Sequence, residues 1–283
     1  IQWNRDGVSS SGRFSTKSID LAAAFGPVSG LSTDIEFTDL LGLQTAPSQT
    51  ARIAVANPGI PAFDGQIRYQ LLADQKVAIE GGRWPFYGGE LILEPTVLDF
   101  DVEKARHLTF RLIGLDAEKF LAGYDLENLR VVGVFDGVLP MVFDQEGGRI
   151  VGGELVSRAP GGEVSYLGQL SYEDMGTFAN FAFEALRSIQ FNEMRIGVDG
   201  NLGGEIVTEV QFRGLQQGTT AKRNFFTKQI AKLPIEFNIR IQAEFLSLIG
   251  SMRALYDAEY AAQRYKGLLD VKPPETEETE TPE

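Results

Sequence analysis

Apolar residues recur at every second position along most of this chain. Within 28–40, Ile35 and Phe37 alternate with Glu36 and Thr38. Ile67, Tyr69 and Leu71 alternate with Arg68 and Gln70, and Leu108, Phe110 and Leu112 with Thr109 and Arg111. Leu139, Met141 and Phe143 continue the pattern, as do Ile206, Val210 and Phe212 against Val207, Glu209 and Gln211. The cleanest run sets Ile235, Phe237, Ile239 and Ile241 against Glu236, Asn238, Arg240 and Gln242. A period of two predicts strands with one buried and one wet face. Parallel sheets, buried on both faces, read instead as unbroken apolar runs. The pattern therefore predicts a mostly β fold, an antiparallel meander.

Helical spacing is confined to three places. A short helix is predicted over 116–121, with Asp116 as its N-cap. Over 174–186, Met175, Phe178, Ala182 and Leu186 share a stripe, and over 244–265 Phe245, Leu248, Ile249, Met252 and Tyr256 share another. The end of the chain, PPETEETETPE, holds no base and little apolar surface, so 271–283 is expected to be a disordered acidic tail after a segment spanning 1–270.

Glycine pairs recur: Gly81-Gly82, Gly88-Gly89, Gly147-Gly148, Gly152-Gly153 and Gly203-Gly204, often before Glu-Leu or Glu-Ile. They are expected at tight hairpin turns, which need positive φ. Two readings stay open: turns that any meander collects, or a stacked hairpin repeat.

Composition narrows the chemistry. With no Cys and a single His, His107, thiol catalysis, thiolate metal sites and nucleophile–His relays lose their parts. A formal net charge of −13 argues against a grip on nucleic acid, which needs clustered cations. No apolar run reaches the length of a membrane-spanning helix. There is no phosphate-binding loop, nucleophile elbow or zinc-protease motif, and no cofactor signature. Asp99, Asp101 and Glu103 stand two apart on a strand-like stretch, so they could hold a hard cation or form a solvated face. Trp84, Phe86 and Tyr87 could make a sugar-stacking platform or close the end of a hairpin core.

Three segments carry a resemblance. One runs Phe135-Asp-Gly137-Val-Leu139-Pro140-Met-Val-Phe143, then Gly148-Arg-Ile150-Val-Gly152-Gly153-Glu-Leu155. The second is Arg158-Ala-Pro160-Gly161-Gly-Glu-Val164-Ser-Tyr166, and the third Leu233-Pro234-Ile-Glu-Phe237-Asn238-Ile239 leading into Phe245-Leu-Ser-Leu248-Ile249. In order and spacing they resemble the C-terminal region of the YdbH-like proteins, an AsmA-like, TamB-related family. The resemblance implies a long, curled antiparallel sheet, a β-groove with two or three helices. Its apolar trough would carry phospholipid acyl chains across the periplasm of a Gram-negative envelope, with no reaction and no cofactor. An inner-membrane anchor is expected outside this segment, which opens at Ile1.

Such a groove would be lined by Phe110, Leu112, Leu139, Met141, Phe143, Ile206, Val210, Phe212, Phe237, Ile239 and Ile241, all on the apolar side of the alternation. Periodicity does not separate groove from core, so some of these are expected to pack under helices. The resemblance also implies a small outer-membrane lipoprotein as partner. It would add a strand at the C-terminal edge, 234–243, beginning at Pro234 and including Asn238. The competing readings are a closed β-sandwich for carbohydrate binding or adhesion, with Trp84 and Tyr87 as platform, and a carboxylate-based hydrolase.

Overall fold

The computed structural model describes residues 2–4, 7–23, 26–57, 60–101, 104–122, 129–145, 147–166, 189–217 and 237–244. The predicted helices at 174–186 and 244–265, the tail at 271–283 and Pro234 lie outside the described residues, apart from Glu244, which ends a strand.

A short hairpin, β1 (Gln2–Asn4) with β2 (Gly7–Ser9), stands by itself. The first half of the main sheet follows: β3 (Gly12–Ala23), β4 (Gly26–Asp39), β5 (Gln44–Thr45), β6 (Gln49–Ala56), β7 (Ala62–Leu72), β8 (Lys76–Phe86), β9 (Gly89–Leu93) and β10 (Thr96–Asp99). Then come β11 (Arg106–Asp116), α1 (Ala117–Ala122), β12 (Leu129–Val132), β13 (Val134–Asp144), β14 (Gly147–Ser157) and β15 (Gly162–Tyr166). The last are β16 (Ile189–Phe191), β17 (Glu193–Asn201), β18 (Glu205–Arg213), β19 (Gln216–Gln217) and β20 (Phe237–Glu244).

The main sheet has 14 strands in the order β20-β18-β17-β14-β13-β11-β9-β8-β7-β6-β4-β3, with β5 beside β4 and β10 beside β8. Every pairing is antiparallel and the ends do not meet, so the sheet is an open meander. The alternating sequence demands this: one face is apolar and the other carries Arg83, Arg111 and Arg195 ion-paired to Glu90, Glu94 and Glu154.

Register breaks bend the sheet. They fall between Leu112 and Leu115, Val138 and Met141, and Ile150 and Gly153, on neighbouring strand pairs. A bulge bends its strand and raises the local twist, which curls the apolar face inward. Here the expectation for the glycine pairs needs correction. Gly81 (φ 139°) and Gly152 (φ 67°) lie inside β8 and β14, at or beside register breaks, not at hairpin turns. Only the pairs beginning at 88, 147 and 203 flank turns.

Four strands run on past a common bend. β13, β14, β17 and β18 continue into β12, β15, β16 and β19, which form a second sheet in the same lateral order. The bend holds Gly133, the cis Ala159-Pro160 peptide, Gly161, Asn192 and Gly214. Gly161 and Gly162 are needed there because a Cβ on either would strike the backbone carbonyl of Phe191 or Val132. Arg158 donates to both oxygens of Asp136 at 2.7 and 2.6 Å, and Gly114 N–H donates to Asp136 Oδ1 at 2.9 Å. The Phe-Asp-Gly and Arg-Ala-Pro-Gly segments are thus the parts of the bend. The helix predicted at 116–121 is α1, capped by Asp116 Oδ1, which accepts from the amides of Glu118 and Lys119.

Candidate functional site

The apolar face is built from cross-strand pairs, and three bands cross it. Near one set of strand ends lie Leu108, Met141, Phe143, Ile150, Leu202 and Ile206, all buried. Near the other lie Leu112, Leu115, Phe135, Met194, Phe191 and Phe212, also buried. Between them Phe110, Leu139, Leu155, Ile196, Val198 and Val210 are only half-buried.

Rim elements explain the buried bands. The turn after β17 lays Leu202 beside Phe143, both against Gly148, where a Cβ would collide with the Phe143 ring. At the opposite rim Phe120 of α1 meets Tyr87 edge-on at 5.1 Å, and Tyr87 meets Phe86 at 4.8 Å. Phe191 of the second sheet packs on Phe212 at 5.8 Å. The rims close over both flanks and leave the middle band accessible.

Register makes that middle band one row. Ile239 pairs with Val210, Val210 with Ile196, and Ile196 with Leu155. Leu155 itself pairs with Gly137, so at the bulge in β13 the row steps two residues along the strand to Leu139, which pairs with Phe110, and Phe110 pairs with Leu93. It continues through Gly82, Ile67, Ala51, Thr33 and Thr16 to β3. Twelve strands at about 4.8 Å spacing give a row about 50 Å long.

Chemistry changes along it. From β20 to β9 the row is apolar. Ile67 in β7 and Ala51 in β6 are still apolar, and the row turns polar only at Thr33 and Thr16 in β4 and β3: Thr33 Oγ1 donates to the Thr50 carbonyl at 2.8 Å and lies 2.9 Å from Tyr69 Oη. Burial pushes the Tyr69 phenol above its ordinary pKa, against a smaller opposing effect of the Thr33 bond. In β8 the Trp84 indole lies across Gly65 and Gly82, where any Cβ would collide with it, and its ring stands 6.4 Å from Phe110.

Eight of the eleven predicted lining residues lie on this face, and the three in β20 are placed by backbone register alone. Phe110, Leu139 and Val210 sit in the accessible row, whereas Leu112, Met141, Phe143, Ile206 and Phe212 are in the buried bands. Phe237, Ile239 and Ile241 take register positions opposite Phe212, Val210 and Thr208. Sequence reasoning missed Leu155, Ile196 and Val198, although Ile196 and Val198 alternate with Arg195, Gly197 and Asp199; glycines and an arginine in β17 diluted the pattern.

Other candidates are corrected. Trp84 is 4 % exposed and Phe86 is buried, so neither offers a stacking platform to solvent. The acidic stretch is not a continuous strand face: β10 ends at Asp99, whose carboxylate takes Lys104 Nζ at 2.8 Å and the Asp101 amide at 3.1 Å. The Lys104 hydrogen bond holds Asp99 below the usual carboxylate range. Glu103 lies outside the described residues, and among those described no three His, Cys, Asp or Glu side chains gather as for a metal. His107 is exposed near the start of β11. A shallow outer depression floored by Ile113, Val138 and Val156 is edged by the Arg158–Asp136 pair and by Arg111.

Among the described residues the predicted C-terminal edge strand ends the sheet: there β20 pairs with β18 alone, and Asn238, Arg240 and Gln242 are exposed. No described helix is long and apolar enough to cross a membrane.

Compared with known proteins, residues 1–264 match the YdbH-like family model, described as intermembrane phospholipid transport protein YdbH. No curated protein and no solved structure matches the chain. The match is to a transport family of the cell envelope, not to an enzyme class. An open antiparallel sheet with one long apolar face agrees with it, and over 1–264 the chain belongs to the YdbH-like family.

Proposed function

We propose that this chain is a lipid-conducting segment of a periplasm-spanning bridge, along which phospholipids pass between inner and outer membranes. The observation that carries the reading is the half-buried apolar row between two buried bands. An acyl chain needs a dry, continuous apolar strip and no specific polar groups. The row offers that strip from β18 to β11 with side chains already seated by the flanking bands, so a lipid displaces little packing. The acidic overall charge argues against capture of the body by anionic lipid surfaces. Charged headgroups would stay in water above the row while the tails lie on it.

The edge of β20 that no described strand pairs with suits strand addition by a small outer-membrane lipoprotein, which would extend the sheet and the row together. Neighbouring residues in a strand point their amides to opposite sides. Asn238→Pro and Ile239→Pro therefore remove donors from opposite edges, and one of the two should cut lipoprotein capture without weakening the pairing to β18. Equal capture by both variants, each well folded, would contradict strand addition.

The conduit itself is tested by extracting the purified protein and recording native mass spectra. Phospholipid should co-purify at about one or more molecules per chain and be removed by detergent exchange. A lipid-free protein that stays lipid-free after incubation with phospholipid vesicles would contradict the reading.

A further inference from the structure

One polar atom on the apolar face has no partner. Trp84 Nε1 is buried and makes no hydrogen bond, and it is the one such side-chain atom among the described residues. Buried indole N–H groups ordinarily find an acceptor, since leaving one unpaired forfeits its bond to water. Its position is set by two glycines: the indole lies flat over Gly65 and Gly82, with Nε1 above Gly65. Gly82 is itself a member of the central row, between Leu93 and Ile67, so the indole fills the one place in the row that lacks a side chain. Beyond that place the row runs through Ile67 and Ala51 before it reaches Thr33 and Thr16.

A phospholipid has matching chemistry. Its tails are apolar, and its ester carbonyls are the first hydrogen-bond acceptors met on going from tail to headgroup. Tails on Phe110, Leu139 and Leu155 would bring the ester level to the Trp84 indole, next along the row. We infer that Trp84 is a specificity-determining residue whose indole N–H donates to an ester carbonyl of a phospholipid lying on the row. This rests on the conduit reading. It adds that the row distinguishes ester-linked from ether-linked lipid, because an ether oxygen is a poor acceptor and the lipid carries no carbonyl there. Because Nε1 is buried over Gly65, the side chains around it must shift slightly for the carbonyl to reach the N–H.

The test compares diacyl phosphatidylethanolamine with its dialkyl ether counterpart of equal chain length, on the full chain. Native mass spectrometry should show retention of the diester about three- to tenfold above the ether, the equivalent of one hydrogen bond. Trp84→Phe, which removes the N–H and keeps an aromatic ring, should retain both lipids equally. A second readout needs no variant at the site. The chain has two tryptophans, Trp3 and Trp84, so an ¹⁵N-indole spectrum holds two N–H signals, assigned with Trp3→Phe. The Trp84 signal should move downfield with the diester and stay in place with the ether. Equal retention of the two lipids by the wild-type protein with an unmoved Trp84 signal would overturn the inference and leave the conduit standing. Retention of neither lipid would overturn both.

Discussion

From β11 to β18 the central row of the apolar face presents Phe110, Leu139, Leu155, Ile196 and Val210, flanked on both sides by buried apolar bands. From β3 to β7 the same register row presents Thr16, Thr33, Ala51 and Ile67, and the flanks are looser: Phe14 is 45 % exposed and Leu21 39 %. Both halves obey one alternation and use one pairing scheme. They differ in what folds over the strand ends. Beside β11 to β18 stand α1, the Leu202 turn and the second sheet, each inserting an aromatic or aliphatic side chain over a flank. Around β3 and β4 the loop that follows carries Leu41 and Leu43 outward to solvent. An alternating strand therefore specifies which face is apolar, and the rims decide how much of that face stays open.

The largest expected effect comes from breaking the sealed half at its open row. Val210→Asp or Leu139→Asp places a carboxylate where a lipid would have to desolvate it, at a cost of several kcal/mol (on the order of 3–5). In the full-length protein either should abolish lipid transfer between donor and acceptor vesicles, with circular dichroism unchanged. Normal transfer by both would remove the row from the path.

Next in size is a stability contrast between the halves. Phe143, 2 % exposed beneath Leu202, should cost about 3–5 kcal/mol on truncation to Ala. Phe14→Ala should cost about 1 kcal/mol or less, because so much of its ring already faces water. Urea unfolding measures both, and similar costs would mean that the flanks are equally sealed.

A smaller effect concerns the polar half. Tyr69→Phe removes the contact with Thr33, which keeps its own bond to the Thr50 carbonyl, so about 1 kcal/mol of stability should be lost. Transfer of lipid should be unaffected, which chemical denaturation and the vesicle assay can record on the same preparation.

The smallest concerns the bend beside the sealed half. Hydrogen bonding from Arg158, opposed by partial burial and helped by the Gly114 amide, holds the Asp136 carboxyl below its ordinary range. A carboxylate whose folded pKa is depressed stabilises the fold above its unfolded pKa, near 4, and loses that contribution as pH falls through the lower folded value. Asp136 is half-exposed, so solvent screens the pair, and Asp136→Asn should lower the melting temperature by only about 1–2 °C at neutral pH. The difference should vanish in strong acid. A difference that grows on acidification would reverse the sign and refute the assignment.

Much of this architecture was legible in the residues. The alternation at Leu108–Phe110–Leu112 and at Ile206–Val210–Phe212 gave the strands and their apolar face, because a two-residue period has a single geometric meaning. Asp116 announced α1 for the same local reason. The division of that face into open row and buried bands was not legible. Leu139 and Met141 are equally apolar and two residues apart, yet one is half-buried and the other buried, because Met141 lies toward the rim near Ile150. Burial of this kind depends on elements distant in sequence, such as Leu202 over Phe143. The glycine pairs misled for a related reason: positive φ serves a bulge as well as a turn, and only the partner strand tells which.

The most direct measurement is site-specific photo-crosslinking along and across the face in cells carrying the full-length protein. A benzophenone side chain at Leu139, Ile196 or Val210 should capture phospholipid, whereas one at Gln211 or Arg240, exposed positions off the row in β18 and β20, should capture none. Capture of equal strength from Gln211 and Arg240, or no capture from the three row positions, would contradict a lipid path along the central row.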